Sequence, residues 1–201
     1  MNAAQDELLP PEHWFWDPTL SGGIFVEHGV HFFDLFEWWF GPGAVLSAHE
    51  GRRPGTDRVE QVFCALQHGD STFGTIYHGF HQMLRRDLQH WTILFEMGVL
   101  TMTEWVPTTL RLDATVNNAT LAELNALLPG ARVETVERYT DGNRRATSRH
   151  AAREVDCRVV MHADAGEEKM DLYGTMVRAL LADQAAAIAD RSHPRLVSEC
   201  N

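Results

Sequence analysis

The sequence predicts an α+β fold that combines a largely antiparallel sheet with a few helices. Three observations support this prediction. A helical pattern of apolar residues starts at Ser21 or Gly22 and ends at Phe40, and a series of short β-branched and aromatic runs separated by turn signals follows it. A second long helical pattern covers residues 168–191. Strands joined by tight turns pair antiparallel, so the central runs predict hairpins.

Each element follows from local signals. Residues 1–20 are rich in proline, tryptophan and acid, and they predict an irregular lead-in with no sheet strand before the prolines. The first helix is expected to stop at Gly41-Pro42-Gly43, because a glycine ends helices and a proline cannot continue them. Strands are predicted at 45–49, 59–67, 72–80, 90–95, 99–105 and 109–116.

The second half of the chain continues the same architecture. Residues 120–128 predict a short helix with Thr120 as N-cap, and 132–139 and 155–162 predict two further strands around a polar loop. In the long C-terminal helix the spacing predicts four residues on the inward face: Leu172, Met176, Leu180 and Ala187.

Length and composition limit what the protein does. A chain of 201 residues predicts a single domain over 1–201, and 44% hydrophobic with 22% charged residues is typical of a globular protein. A net charge of -11, from 17 basic and 28 acidic residues, argues against nucleic acid as a partner. The apolar runs are far shorter than a membrane span, and the N-terminus does not resemble a secretory signal. We therefore expect a cytoplasmic protein without a membrane partner.

The first helix carries an unusual set of polar residues in the stretch SGGIFVEHGVHFFD. At about 100° per residue, Glu27, His31 and Asp34 fall on one stripe, which Trp38 continues. Aromatic residues occupy the other side, so the stripe is expected where solvent is scarce. One interpretation is a structural network in which the carboxylates satisfy His31. The other is an acid/base pair, since a histidine near carboxylates can exchange a proton with a substrate hydroxyl.

Further side chains are candidates for binding. Trp14, Trp16, Trp38 and Trp39 are candidates to stack on a sugar ring, with Trp16 and Trp38 preferred and Trp39 more typical of a core position. His78 and His81 point to opposite faces of their strand, so one of them is expected to face the helix, and His78 is the candidate. A metal bound by Glu27 and His31 together with His28, His78 or His81 is a weaker alternative. Arg52 and Arg53 are either a solvated loop pair or a grip for an anionic substrate. The three cysteines, Cys64, Cys157 and Cys200, lack metal-site spacing and are interpreted as reduced, buried thiols.

The glycine pair Gly22-Gly23, three apolar residues, an acid and then x-Gly-x-His-x-x-Asp resemble a signature of the C-terminal domain of the Gfo/Idh/MocA oxidoreductase family. The Glu96–Leu100 segment and the 168–191 helix followed by SHPRLVSE resemble later parts of the same domain. The resemblance implies a large open sheet with helices on one face and oligomerisation through the other. It also implies a sugar, cyclitol or related polyol as ligand, with His31 as acid/base residue and Asp34 following it. Glu27 stands where the family usually has aspartate.

The resemblance also shows what this sequence lacks. The family uses a Rossmann domain with a glycine-rich phosphate loop and a catalytic lysine, and neither is found here. Gly41-Pro42-Gly43 follows a helix rather than a strand, and Lys169, the single lysine, lies at the polar start of the last helix. We expect no NAD(P) binding by this chain alone, although NAD(P) is implied for the complete enzyme. A separate chain carrying the Rossmann domain is then an expected partner.

The leading hypothesis is the substrate-binding and acid/base domain of a polyol oxidoreductase, with catalytic His31, Glu27 and Asp34. A second hypothesis is a stand-alone lyase, epimerase or hydratase that uses Glu27 and His31 without nicotinamide. A third is a non-catalytic binding or oligomerisation module. Exposed sheet edges invite pairing, so a homo-oligomer through the sheet is expected in each case.

Overall fold

A computed structural model describes residues 1–6 and 8–190 of the chain. The described residues form two compact units: residues 1–89 with residues 176–190, and residues 90–175. Both units have strands that pair almost entirely antiparallel, together with helices, which confirms the α+β prediction. None of the helices in the described ranges has the length and apolar character that a membrane span requires.

The sheet of the first unit is built from four strands and the start of a fifth. They are β1 Asn2–Gln5, β2 Gly43–Arg52, β3 Val59–His68, β4 Thr72–Gln82 and β5 Leu88–Phe95. Their order is β2-β3-β4-β1-β5, with antiparallel pairs except between β1 and β4. The strands predicted from residue 45 to residue 95 are confirmed, as is the hairpin turn between β3 and β4.

Strand β1 corrects the expectation of an irregular lead-in over residues 1–20. Asn2 and Ala3 pair with His78 and Gly79 of β4 on one side and with Gln89 and Leu88 of β5 on the other. Alanine, asparagine and glutamine have low strand propensity, and four residues are too few to show a period of two. The strand therefore depends on hydrogen bonds to distant strands, which local sequence does not reveal.

The helices of the first unit follow one another closely before β2. They are a 3-10 turn Trp14–Trp16, α1 Pro18–Ser21, a π-helical turn Phe25–Gly29 that we call the π turn, and α2 Val30–Phe40. The predicted end of the long helix is confirmed, because the Gly41 N–H donates to the Glu37 carbonyl at 2.8 Å and Gly41 adopts a φ of 80°.

The core of this unit lies between the helices and the sheet. The π turn and α2 pack on β3 and β4, where inward residues alternate with outward ones. One buried cluster contains Ile24, Val62 and Phe80, and a second contains Cys64, Leu66 and Ile76 under the aromatic residues of α2. This packing fixes the position of the π turn above β4.

The second unit is an antiparallel sheet with one helix on its face. Strand β5 continues into it, followed by β6 Gly98–Thr103, β7 Thr109–Val116, α3 Asn118–Leu127, β8 Arg132–Arg138, β9 Arg145–Thr147, β10 Ala152–Glu154 and β11 Cys157–Asp164. The order is β5-β6-β7-β11-β8, and β9 pairs with β10 in a separate hairpin. Leucines of α3 cover a core that includes Val159 and Met161.

Two local predictions in this unit need correction. Asn117, not Thr120, caps α3, because the Asn117 side-chain oxygen accepts the Thr120 N–H at 2.8 Å and the helix already begins at Asn118. The segment predicted as a polar loop contains the β9–β10 hairpin. Cys64 and Cys157 are buried free thiols as expected, whereas Cys200 lies outside the described residues.

Helix α4, Lys169–Asp190, confirms the predicted C-terminal helix but not its inward face. Ala187 is buried and Leu172 is half-buried, whereas Met176 and Leu180 are 53% and 38% exposed. Helical spacing shows which positions share a face, but it does not show whether another element covers that face. The prediction is therefore wrong for Met176 and Leu180.

Candidate functional site

The π turn places Glu27 and His28 at the point where the helical period changes. A π turn has i to i+5 hydrogen bonds, so residues before and after it are not related by the 100° step of a regular α-helix. Gly29 packs closely against the Phe25 side chain within the turn. A Cβ on Gly29 would come 2.8 Å from Phe25 Cδ1, which is too short for a side chain to fit without a shift. The stripe that joins Glu27 to His31 in a regular helix is therefore broken.

A cavity of about 400 Å³ lies beside the π turn within the first unit. Three parts of the chain form its walls: the segment 6–16, the π turn and β4. The residues that line it are Asp6, Leu9, His13, Trp14, Phe15, Trp16, Glu27, His28 and Phe80. Aromatic and polar side chains thus line one cavity that is partly open to solvent, and such a combination is typical of ligand sites.

Three rings that line the cavity, those of Phe15, His28 and Phe80, pack against one another edge to face. The Phe15 ring lies 5.3 Å from Phe80 and 5.9 Å from His28, and His28 lies 4.8 Å from Phe80 between ring centroids. The His13 Nδ1 accepts the Phe15 N–H at 3.3 Å, which fixes the 3-10 turn that carries these rings. The Trp16 indole N–H is buried and has no hydrogen-bond acceptor among the described residues.

Arg53 does not line the cavity, but it contacts two residues that do, Asp6 and Trp16. Its Nε donates to Glu60 Oε2 at 2.7 Å and an Nη donates to Asp6 Oδ2 at 2.8 Å, while its guanidinium lies 5.6 Å from the Trp16 ring centroid. The hydrogen bond that Arg53 donates to Glu60, together with nearby Asp6, raises the pKa of Arg53 above its ordinary value. Arg53 is committed to these partners, so neither interpretation made from the sequence describes it.

The structure brings only some of the predicted site residues to the cavity. Glu27 and Trp16 line it, and Glu27 is half-buried. His31 is exposed and Trp38 is 66% exposed, and neither belongs to the lining. Among the described residues His31 makes no hydrogen bond with Glu27 or with Asp34, which is half-buried. The expectation that the whole stripe lies where solvent is scarce is wrong at His31 and Trp38.

His78 is buried beneath the helix rather than open to the cavity. It is 1% exposed, and its ring packs edge-on against Phe32 at 4.6 Å and Phe25 at 6.3 Å. Burial, with a smaller contribution from His28, lowers the pKa of His78 from 6.5 to about 4. His81 contacts Tyr77 on the opposite face of β4, which confirms that the two strand histidines point apart.

Sequence reasoning did not assign Asp6, Leu9, His13 and Phe80 to the site, and it considered His28 only as a metal ligand. Asp6, Leu9 and His13 belong to the lead-in, where no periodicity marks them. The buried glycine that follows Glu27 and His28 is the one sequence feature that hints at an irregular turn there. No group of three histidine, cysteine or carboxylate ligands suited to a metal occurs in residues 1–6 and 8–190.

Comparison with known families adds the decisive observation. Residues 1–101, which include the motif 22–34, match a family model described as the GFO/IDH/MocA C-terminal domain. The chain belongs to this family. Membership of this oxidoreductase family implies that the complete enzyme uses NAD(P). Comparison with curated proteins and with solved structures gives no significant match.

The glycine cluster Gly41-Pro42-Gly43 of this GFO/IDH/MocA C-terminal domain does not have the form of a dinucleotide-binding loop, because it follows helix α2 and leads into strand β2. The Gly41 carbonyl lies 2.7 Å from His68 Nδ1, and a Cβ on Gly43 would come 2.6 Å from His68 Cε1. Gly43 therefore packs against a side chain rather than against open space for a pyrophosphate. Lys169 bonds to Glu104 at 2.7 Å in the second unit.

Proposed function

We propose that this GFO/IDH/MocA C-terminal domain binds a sugar, cyclitol or related polyol in the cavity beside the π turn. It would serve as the substrate-binding part of an NAD(P)-dependent oxidoreductase whose dinucleotide-binding part is missing from this sequence or is on another chain. The observation that carries the proposal is the combination of Glu27 with aromatic walls in a cavity of about 400 Å³. This volume suits a monosaccharide-sized ligand.

The chemistry of the lining supports a polyol. Faces of Trp14 and Trp16 are suited to stack on the C–H faces of a sugar ring. The Glu27 carboxylate accepts hydrogen bonds from hydroxyl groups, and it has no hydrogen-bond or ion-pair partner among the described residues. A half-buried carboxylate without a partner is costly, and a ligand hydroxyl would offset part of that cost.

In this proposal, His31 transfers the proton although it lies outside the cavity lining. The family motif places the acid/base histidine at this position, and His31 is exposed, as are the apolar residues Val26 and Val30 at 58% and 40%. An exposed apolar face around a titratable side chain is suited to contact with another domain. Asp34, one turn further on, is proposed to orient His31 once that contact is made.

A second function is favoured by one feature of the same cavity. Glu27 and His28 both line it, so a carboxylate and an imidazole lie together within this chain. Such a pair is sufficient for an elimination, epimerisation or hydration that needs no nicotinamide. Turnover of a polyol by this chain without NAD(P), lost in H28A, would support this function over the first.

Self-association is proposed as the role of the sheet edge in the first unit. Strand β2 is exposed along nearly its whole length, and Val45 and Leu46 are 62% and 53% exposed. Exposed apolar residues on a long edge strand favour pairing with another chain. Sedimentation velocity of the wild type and of V45K tests this: we expect an oligomer that V45K dissociates, and a monomeric wild type would contradict it.

The experiment that tests the polyol site is calorimetric titration of glucose and of myo-inositol into the purified chain. E27Q keeps the size of the side chain and removes its charge, and E37Q makes the same change at an exposed position on α2 outside the cavity lining. We expect E27Q to weaken binding about tenfold, as loss of a charge-assisted hydrogen bond does. Equal affinities of E27Q and wild type would overturn the proposal.

A further inference from the structure

The charged groups in the cavity lining are of one sign. Two carboxylates, Asp6 and Glu27, belong to the lining, and among the described residues no lysine or arginine does. The remaining titratable side chains in the lining are the imidazoles of His13 and His28. A ligand that enters this cavity therefore meets negative charge near neutral pH.

Arg52 and Arg53 are already committed to other groups. Arg53 bonds to Glu60 and Asp6, and Arg52 bonds to Glu50 at 2.5 Å and to the Asp57 carbonyl at 2.6 Å. The arginine grip on an anionic substrate that the sequence left open is thus contradicted. Arg58 lies 5.9 Å from the Trp16 ring centroid but does not line the cavity. A phosphate or carboxylate in the cavity would therefore face two carboxylates with no cation in the lining to pair with, and such like-charge contacts are unfavourable.

Asp6 and Glu27 differ in how their charges are balanced. Asp6 has Arg53 at 2.8 Å, whereas Glu27 is half-buried and has no counter-ion among the described residues. Removing a carboxylate from water without a cation is costly. A positively charged group on the ligand would provide the counter-ion that this chain does not.

The aromatic walls suit the same kind of ligand. Trp14, Phe15, Trp16 and Phe80 surround the cavity, and the faces of aromatic rings attract cations. Trp16 already has cations close to its ring, because the guanidinium carbons of Arg53 and Arg58 lie 5.6 Å and 5.9 Å from its ring centroid. Aromatic faces beside a carboxylate are a common arrangement for binding ammonium groups.

We propose that the ligand of this cavity is an amine-bearing polyol, an amino sugar or an aminocyclitol, whose protonated amine pairs with Glu27 against the tryptophan faces. This inference rests on the proposed function, because it assigns the ligand class of the same cavity. It separates the ligand from sugar phosphates, nucleotide-linked sugars and uronates, which carry the opposite charge.

Three sugars of the same ring size test whether the charge of the ligand determines its affinity for the cavity. Glucosamine, glucose and glucuronate carry an ammonium, a neutral hydroxyl or a carboxylate, and each is titrated into the purified full chain at about pH 6, where an alkylamine is protonated. We expect glucosamine to bind about tenfold more tightly than glucose, as a charge-assisted pair does, and glucuronate to bind more weakly than glucose.

Variants of Glu27 assign the preference to this carboxylate. E27Q should bind glucosamine and glucose alike, whereas E27D, which keeps the charge, and the exposed control E37Q should keep a preference for glucosamine. The unfolding midpoint of each variant confirms that it is folded. Loss of the preference in E27D as well as E27Q would show that side-chain packing, not charge, determines it, and would overturn the inference.

Two other results separate this inference from the proposed function. Equal affinities for glucose and glucosamine, both weakened in E27Q, would overturn the amine assignment and leave the polyol site intact. Affinities for all three rings that E27Q does not change, or no binding of any ring, would overturn both. If glucuronate binds most tightly of the three while E27Q still weakens the binding of glucose, the amine assignment alone would be overturned.

Discussion

Acidification is expected to destabilise the first unit through His78. This side chain is 1% exposed and packs against Phe25 and Phe32, and burial lowers its pKa from 6.5 to about 4. Between these values the unfolded chain binds a proton that the folded chain does not, so stability falls as the pH drops through this window. Above pH 6.5 both states are neutral and His78 contributes no pH dependence.

The magnitude follows from the two pKa values. A difference between 6.5 and about 4 corresponds to a loss of about 3 kcal/mol on going from pH 7 to pH 4. Urea unfolding, followed by tryptophan fluorescence at both pH values, measures this loss in the wild type and in H78L. Leucine fills a similar volume and does not titrate, so H78L should lose about 3 kcal/mol less than the wild type.

The control for this experiment is H150L, which removes an exposed histidine in a loop of the second unit. It should lose as much stability on acidification as the wild type does. If H78L and the wild type lose the same free energy of unfolding between the two pH values, the assignment of a depressed pKa to His78 is wrong.

Three further changes test the supports of the site and of the fold. R53A leaves the buried Glu60 without its cation and should lower the free energy of unfolding by about 2 kcal/mol. R53K keeps the charge but not the guanidinium that bonds to both Glu60 and Asp6, so its free energy of unfolding should lie between those of R53A and the wild type. An unchanged urea midpoint in R53A would contradict this. N117A removes the cap of α3 and should cost about 1 kcal/mol in thermal unfolding, and a cost near zero would remove the capping role. G29A brings a Cβ against Phe25 in the π turn and should cost about 1 to 3 kcal/mol by urea unfolding, whereas a neutral effect would show that the turn relaxes freely.

Strands were predicted well because their signals are local. Outward and inward residues alternate along β3, and turn residues separate it from β4, so the predicted 59–67 agrees with Val59–His68. Strand β1 has no such pattern, because Asn2–Gln5 becomes a strand only through pairing with residues more than 70 positions away. Its existence depends on the rest of the sheet.

The candidate site was predicted in part for a similar reason. Glu27 and Trp16 were chosen for their chemistry, and both line the cavity. The grouping of Glu27 with His31 assumed a regular helix, and the π turn changes the period between them. Asp6 reaches the cavity wall because β1 lies beside β4 and Arg53 holds its carboxylate, and both contacts are long-range.

The central claim is that the cavity beside the π turn binds the substrate, and indole N–H resonances measure this most directly. The chain has six tryptophans, which single substitutions to phenylalanine assign in a nitrogen-15 correlation spectrum. On addition of glucosamine we predict that the resonances of Trp14 and Trp16 move while those of Trp38 and Trp105 stay in place. Movement confined to Trp38 or Trp105, with Trp14 and Trp16 unchanged, would contradict the claim.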